Sequence, residues 1–249
     1  MNSMNRHELQ QQCELGQRQL METAYLDAIA TLSAAEEIAW SAGDYDTLSR
    51  LYMPLQEAHR QARQRCGEGT VRMDLIAADA DAIIDADQIL GGISHGQLLV
   101  GGWGSIEPAL HVRRLAAERR LYVETFLSAV YPLVGGARVV IVVPVQEARL
   151  PVAQPRAIDA LLQLLPPHCL VFSPDELPAG SAVGGDRTYA GVMAMWERLH
   201  APFLAAADIE ADPVRRMESY RKVLRVDSAC ELAHQKLADV AHAMKRTGR

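Results

Sequence analysis

Aromatic side chains are scarce, at 5% of 249 residues, so any core must be built mainly from Ala, Leu, Val and Ile. That favours helix packing and small α/β units over an aromatic-rich β-sandwich. Cysteine is equally sparse. Cys13, Cys66, Cys169 and Cys230 are scattered with no CxxC pair, which reads as reduced, partly buried thiols in a cytoplasmic protein. No apolar run approaches the ~20 residues of a membrane span, and the opening MNSMNRHELQQQ lacks the apolar stretch of a signal peptide. The expectation is a soluble, cytoplasmic chain with no membrane partner. An excess of basic charge is missing too: 25 Lys and Arg against 31 Asp and Glu leave a net charge of −6. This argues against a dedicated nucleic-acid binder, which carries a basic stripe. The remaining balance, 49% hydrophobic and 22% charged, is that of an ordinary globular protein. A chain of this length buries well over half its unfolded surface and needs no disulfide or metal to fold.

Three stretches follow one another: residues 1–69, 70–180 and 181–249. The first reads as wholly helical. Between Glu8 and Trp40 there is no proline, and Leu20, Ala24, Ala28, Leu32 and Ala35 recur three or four apart on one helix face. Ser41-Ala42-Gly43-Asp44 stops this helix, and Asp44 or Asp46 can cap the next. That second helix carries Leu48, Leu51, Tyr52, Leu55 and Ala58, with Pro54 expected to kink it or mark its first turn. In the middle stretch, Arg138 to Val143 is a β-branched run suited to a strand buried on both faces. Gln97 to Val100 and Cys169 to Phe172 read as further strands, and Val71 to Ile76 as a fourth. Helices are expected from about Ile106 to Tyr131 and from about Pro155 to Leu165. Strand and helix in alternation is the grammar of a parallel α/β unit. Beyond a loose Pro- and Gly-containing loop, Tyr189 to Ala207 and two more helices run to about Met244. The expected fold class is α/β, mostly helical: a small parallel three- or four-stranded core flanked by N- and C-terminal helical hairpins.

The segment Ala35-Glu36-Glu37-Ile38-Ala39-Trp40-Ser41-Ala42-Gly43-Asp44-Tyr45-Asp46-Thr47-Leu48 resembles the centre of a tetratricopeptide repeat. In that family one helix ends near a glycine, an aspartate–tyrosine turn follows, and a second helix packs back antiparallel. Asp212-Pro213, followed by Met217 to Asp227, is similar to a second helix of such a repeat. Neither echo lies in an adjacent repeat of about 34 residues. The resemblance implies helical hairpins that present a groove to a partner segment.

Chemistry-bearing residues are few. Gly101-Gly102-Trp103-Gly104-Ser105 lies between the first long strand and its helix, where backbone N–H groups and a helix N-terminus suit an anion. The pattern is neither GxGxxG nor GxxxxGK[ST], and a tight turn with Ser105 as N-cap and Glu107 beside the positive helix end is the plainer reading. His95, Asp79 and Asp186 are the polar groups expected near such a strand-end site. The aspartates from Asp74 to Asp87 suit either a divalent cation or a solvated helix face. Arg113 and Arg120, seven apart on the expected long helix, offer a surface to an acidic partner or a phosphorylated ligand; a solvated face is the plainer reading. Cys230 and His234 are i, i+4 but lack a second ligand pair, so no metal site is assigned. No catalytic triad can be argued, and no cofactor is indicated. Met193, Met195, Trp196 and Leu199 fit a buried helix stripe. The leading expectation is a non-enzymatic interaction or scaffold protein that binds a protein or peptide partner, with Trp40 and Tyr52 in its groove. The alternative is a small-molecule site, enzymatic or regulatory, at the strand ends, for a ligand bearing phosphate or carboxylate.

Overall fold

The computed structural model describes residues 3–183 and 186–246, with side chains described for 6–183 and 189–246. In chain order the first elements are α1 (Ser3–Met21), α2 (Tyr25–Ala42), α3 (Tyr45–Gly67), β1 (Thr70–Ile76), α4 (Ala86–Leu90) and β2 (His95–Trp103). There follow α5 (Glu107–Glu118), β3 (Tyr122–Pro132), β4 (Arg138–Val143), α6 (Ile158–Leu162) and β5 (Leu170–Phe172). The chain closes with α7 (Asp186–Asp208), α8 (Pro213–Val226) and α9 (Glu231–Arg246). It divides into two compact units, Met1–Arg63 with His200–Arg249, and Gln64–Leu199.

The first unit is helical. Helical segments at both ends of the chain pack as hairpins, and their apolar faces merge into one core. Ala28, Leu32 and Ala35 of α2, Leu48, Leu51, Tyr52, Leu55 and Ala58 of α3, Met217 and Val223 of α8 and Leu237 of α9 are all buried in it. The stretch expected as one helix from residue 8 to 40 is two. The backbone turns at Thr23, which adopts φ 60°, and Ala24 N–H donates to Gln19 O at 2.9 Å. A Cβ at Gly16 would stand 2.6 Å from Leu32, so glycine there is what lets α1 lie close on α2. Nothing in the local sequence announced the break, because the left-handed position is filled by a threonine where glycine is usual. Thr23→Gly is therefore expected to stabilise the unit by about 0.5–1 kcal/mol, since a β-branched residue is strained at positive φ. A thermal midpoint that fails to rise would show that this turn is not held left-handed. The α2–α3 turn follows expectation. Gly43 takes φ 64°, and the Asp44 carboxylate accepts from Thr47 N–H at 3.0 Å and Thr47 Oγ1 at 2.8 Å. Helix α3 runs through Pro54 without ending there.

The second unit is built on one five-stranded sheet in the order β1-β2-β3-β4-β5. It is mixed, which corrects the all-parallel expectation: β1, β2 and β3 are parallel, while β4 and β5 are antiparallel to their neighbours. The long helix expected from 106 to 131 ends at Glu118. Arg120 takes φ 55°, and Tyr122 to Pro132 is a strand. Tyr122, Phe126 and Val130 satisfy a four-residue helical step, but they equally satisfy the two-residue step of a strand. The continuous buried run Phe126–Tyr131 decides for the strand, because both sheet faces are covered there. One face packs under α4 and α5, with Leu98, Val100, Leu127, Ala129, Tyr131 and Ile141 meeting Ala109, Val112 and Ala116. On the other, Trp196 stacks on Phe126 at 4.1 Å between ring centroids and donates to Gln97 Oε1 at 3.3 Å. Met195, Trp196 and Leu199 form the buried stripe expected of them. Among the described residues no helix is long and apolar enough to cross a membrane.

Candidate functional site

The strand-end glycines are differently placed from the sequence reading. Gly101 and Gly102 lie within β2 rather than in a turn, both buried. A Cβ on Gly101 would meet Ser128 Oγ at 2.6 Å, and one on Gly102 would meet Ser105 O and the Pro108 ring at 2.9 Å. These glycines serve close packing. Gly104 does occupy a turn, with φ +62° and Ala153 against it. The donors expected to receive an anion are engaged within the chain: Gly102 N–H with Ser105 O, Gly104 N–H with Val130 O, and Glu107 N–H with Ser105 Oγ. His95 sits at the opposite end of β2, stacked on Tyr122 at 5.5 Å and bonded to Ser94 Oγ. It is therefore not brought to the glycine turn. Asp79 is exposed and accepts from Asp81 N–H at 3.0 Å, an Asx turn. The Asp186 side chain lies outside the described residues. The aspartates from Asp79 to Asp85 lie on a loop rather than on the expected helix, and Asp85 caps α4. Arg138, which sequence reasoning passed over, donates to Ala78 O at 2.6 Å just beyond the end of β1.

The expected partner residues are also drawn inward. Tyr52 is fully buried and donates to Glu36 Oε1 at 3.1 Å. Arg221 of α8 donates to the same carboxylate oxygen at 3.0 Å and lies 4.5 Å over the Trp40 ring. Burial pushes Glu36 above the usual carboxylate range despite Arg221, and pushes the Tyr52 phenol up as well. The face of the α2–α3 hairpin that holds these residues is thus filled by α8. Arg113 is not on a solvated face: its Nε donates to Thr125 O at 2.7 Å, and burial lowers its pKa to about 10. Arg120 lies past the end of α5, so the seven-residue spacing places nothing on a shared helix face.

Among the described residues, the helical unit has a cleft of about 760 Å³ between α1, the α2–α3 turn and α3. Leu9 and Leu51 supply apolar wall, and Arg6, Glu14, Asp44 and Arg50 supply charge of both signs. A second cleft, of about 680 Å³, lies against α8 and α9 near Tyr220 and Lys236. Neither includes a residue of the strand-end set or the Trp40–Tyr52 pair.

The same unit holds a buried polar hub that sequence reasoning missed. Asp227, between α8 and α9, is 2% exposed. Its Oδ1 receives Arg63 Nη2 at 2.7 Å and Ala229 N–H at 3.1 Å, while Oδ2 contacts His200 Nδ1 at 2.7 Å. The far ring nitrogen of His200, Nε2, lies 3.7 Å from Cys230 Sγ. Burial alone would raise Asp227, but the His200 hydrogen bond and the Arg63 charge bring it to about 2. Burial alone would lower His200, but its bonds to Asp227 and Cys230 carry it up to about 9. Next to the hub, His59 stacks on His234 at 5.6 Å. His234 Nε2 contacts Ser228 O at 3.0 Å, leaving Nδ1 buried without a hydrogen-bond partner. Burial depresses both rings, His59 to about 3. Cys230 and His234, paired by spacing as possible metal ligands, thus face different partners. Among the described residues no three His, Cys, Asp or Glu side chains group to hold a metal ion. Comparison with family models, with curated proteins and with solved structures returned no match to this chain.

Proposed function

We propose that this protein is a non-enzymatic interaction module whose helical unit receives a peptide segment of a partner in the cleft between α1 and α3. The observation that carries this reading is the cleft itself, about 760 Å³ and framed by three helices that pack as hairpins. Its volume lies within the range of sites that enclose a ligand. Its chemistry selects a segment with a small apolar anchor flanked by charges of both signs. Leu9 and Leu51 meet the anchor, Arg6 and Arg50 meet acidic residues, and Glu14 and Asp44 meet basic ones. Arg50 is held toward this wall by Asp46, 3.1 Å away. Trp40 and Tyr52 act behind the groove, as packing that fixes α2 against α3 and α8.

Selection from a displayed peptide library, followed by titration of the enriched sequences, tests the reading. The expected result is saturable binding that weakens at least tenfold, about 1.4 kcal/mol, in both Arg50→Glu and Gln10→Trp while the melting temperature holds. The proposal falls if no peptide binds more tightly than about 1 mM, or if binding is indifferent to both substitutions.

A further inference from the structure

The geometry points to Cys230 as a reactive thiol, modified by hydroperoxides, with His200 as its proton partner and Asp227 as the group that orients His200. Three contacts carry this. Cys230 Sγ faces His200 Nε2 at 3.7 Å, and His200 Nδ1 faces Asp227 Oδ2 at 2.7 Å. Asp227 is itself fixed by Arg63 and by Ala229 N–H. A thiol beside an imidazole that a carboxylate holds in orientation is the arrangement that activates cysteine nucleophiles. Cys230 also immediately precedes the 16-residue helix α9, whose N-terminal end favours the anionic sulfur.

Access selects the electrophile. Cys230 is 5% exposed and His200 keeps 13% of its side-chain surface exposed. Neither described cleft of the helical unit is lined by Cys230. A hydroperoxide is small enough to need no cleft. In the reaction the thiolate sulfur forms an S–O bond and the peroxide O–O bond breaks. The sulfur is oxidised by two electrons to the sulfenic acid. The leaving hydroxide, or alkoxide, takes the Nε2 proton of His200 and departs as water or alcohol.

The chain supplies its own controls. Cys13 and Cys169 are both more exposed than Cys230, yet burial raises both thiols, Cys169 to about 11. Accessibility alone therefore ranks Cys230 behind them, and activation by His200 reverses the order. The experiment exposes the full chain to limiting hydrogen peroxide at pH 7, traps sulfenic acid with dimedone, and maps each cysteine by mass spectrometry. Cys230 is expected to react first, at least tenfold faster than Cys13 and Cys169 at pH 7. Its rate should fall at least tenfold in His200→Gln. A Cys230 that reacts no faster than Cys13 or Cys169 overturns the assignment. The comparison among the cysteines needs no variant, so it stands even if His200→Gln fails to fold.

Discussion

Asp227→Ala is expected to lower unfolding stability by about 3–5 kcal/mol, because it removes the buried carboxylate that both Arg63 and His200 contact. Asp227 is the acceptor for Arg63 at 2.7 Å, for His200 at 2.7 Å and for the backbone of Ala229, and only 2% of it reaches solvent. The arrangement ties α3 to α7 and to the α8–α9 turn through one carboxylate. Removing that carboxylate forfeits more than the hydrogen bonds. Arg63, 9% exposed at its side chain, keeps its charge and cannot be rehydrated without opening the core. For a chain of this size the melting temperature should drop by roughly 2–4 °C per kcal/mol. The double substitution Arg63→Met with Asp227→Leu discriminates between mechanisms. If the penalty arises from stranded charge, the double variant recovers most of it, since apolar pairs of similar volume replace buried ion pairs at little cost. A single variant that loses less than about 1 kcal/mol would falsify the hub as a buried tie.

The parts of the fold that were legible from sequence are those that local chemistry specifies. Asp44 caps α3 through both carboxylate oxygens, and Asp212 with Pro213 opens α8 by accepting from Arg215 N–H. The β-branched run at 138–143 forms β4, and 71–76 falls within β1. What was not legible depends on distant partners. Tyr122 to Pro132 carries both a four-residue and a two-residue period, and only the layers covering β3 on both sides make the strand reading win. The reversal of direction at β4 follows from the short Leu133 to Ala137 connection, where Gly135 and Gly136 take positive φ and permit a tight hairpin. The candidate site shows the same division. Gly104 and Ser105 were correctly placed in a turn, but nothing local showed that their donors would be consumed. The hub was invisible for a different reason: Asp227 and Cys230 are three apart, but His200 and Arg63 come from helices 27 and 164 residues away. Only the packing of α3 and α7 against the α8–α9 turn brings the four side chains together.

Two sets of histidines in that packing should give stability a maximum near pH 6.5–7. His59, partly exposed but stacked on His234, is held at about 3, and His234 is lowered. His59 faces Arg63 and Asp227 as well as His234, and His234 also faces Tyr52 and Ser228 O. Below the ordinary histidine value of about 6.5, the unfolded chain takes up protons that the folded rings refuse. Stability therefore falls with acid, by up to about 1.4 kcal/mol per pH unit for each fully linked proton. Residual exposure of His59 discounts this to about 1–2 kcal/mol from that ring between pH 6.5 and 5. His200 works in the opposite direction. Its folded value near 9, set against Asp227 and Cys230, means that the folded chain keeps a proton the unfolded chain sheds above about 6.5. The stability this contributes is complete below 6.5 and is lost as pH rises through 9, about 3 kcal/mol in all. Asp227, at about 2, adds stability that is present above about 4 and fails only below it, outside this window. Urea unfolding at pH 5, 6.5 and 9 should give its highest midpoint at 6.5. His59→Phe should flatten the acid limb alone and His200→Gln the alkaline limb alone. A midpoint constant from pH 5 to 9 would mean that the stacked pair is hydrated and that His200 is not paired with Asp227.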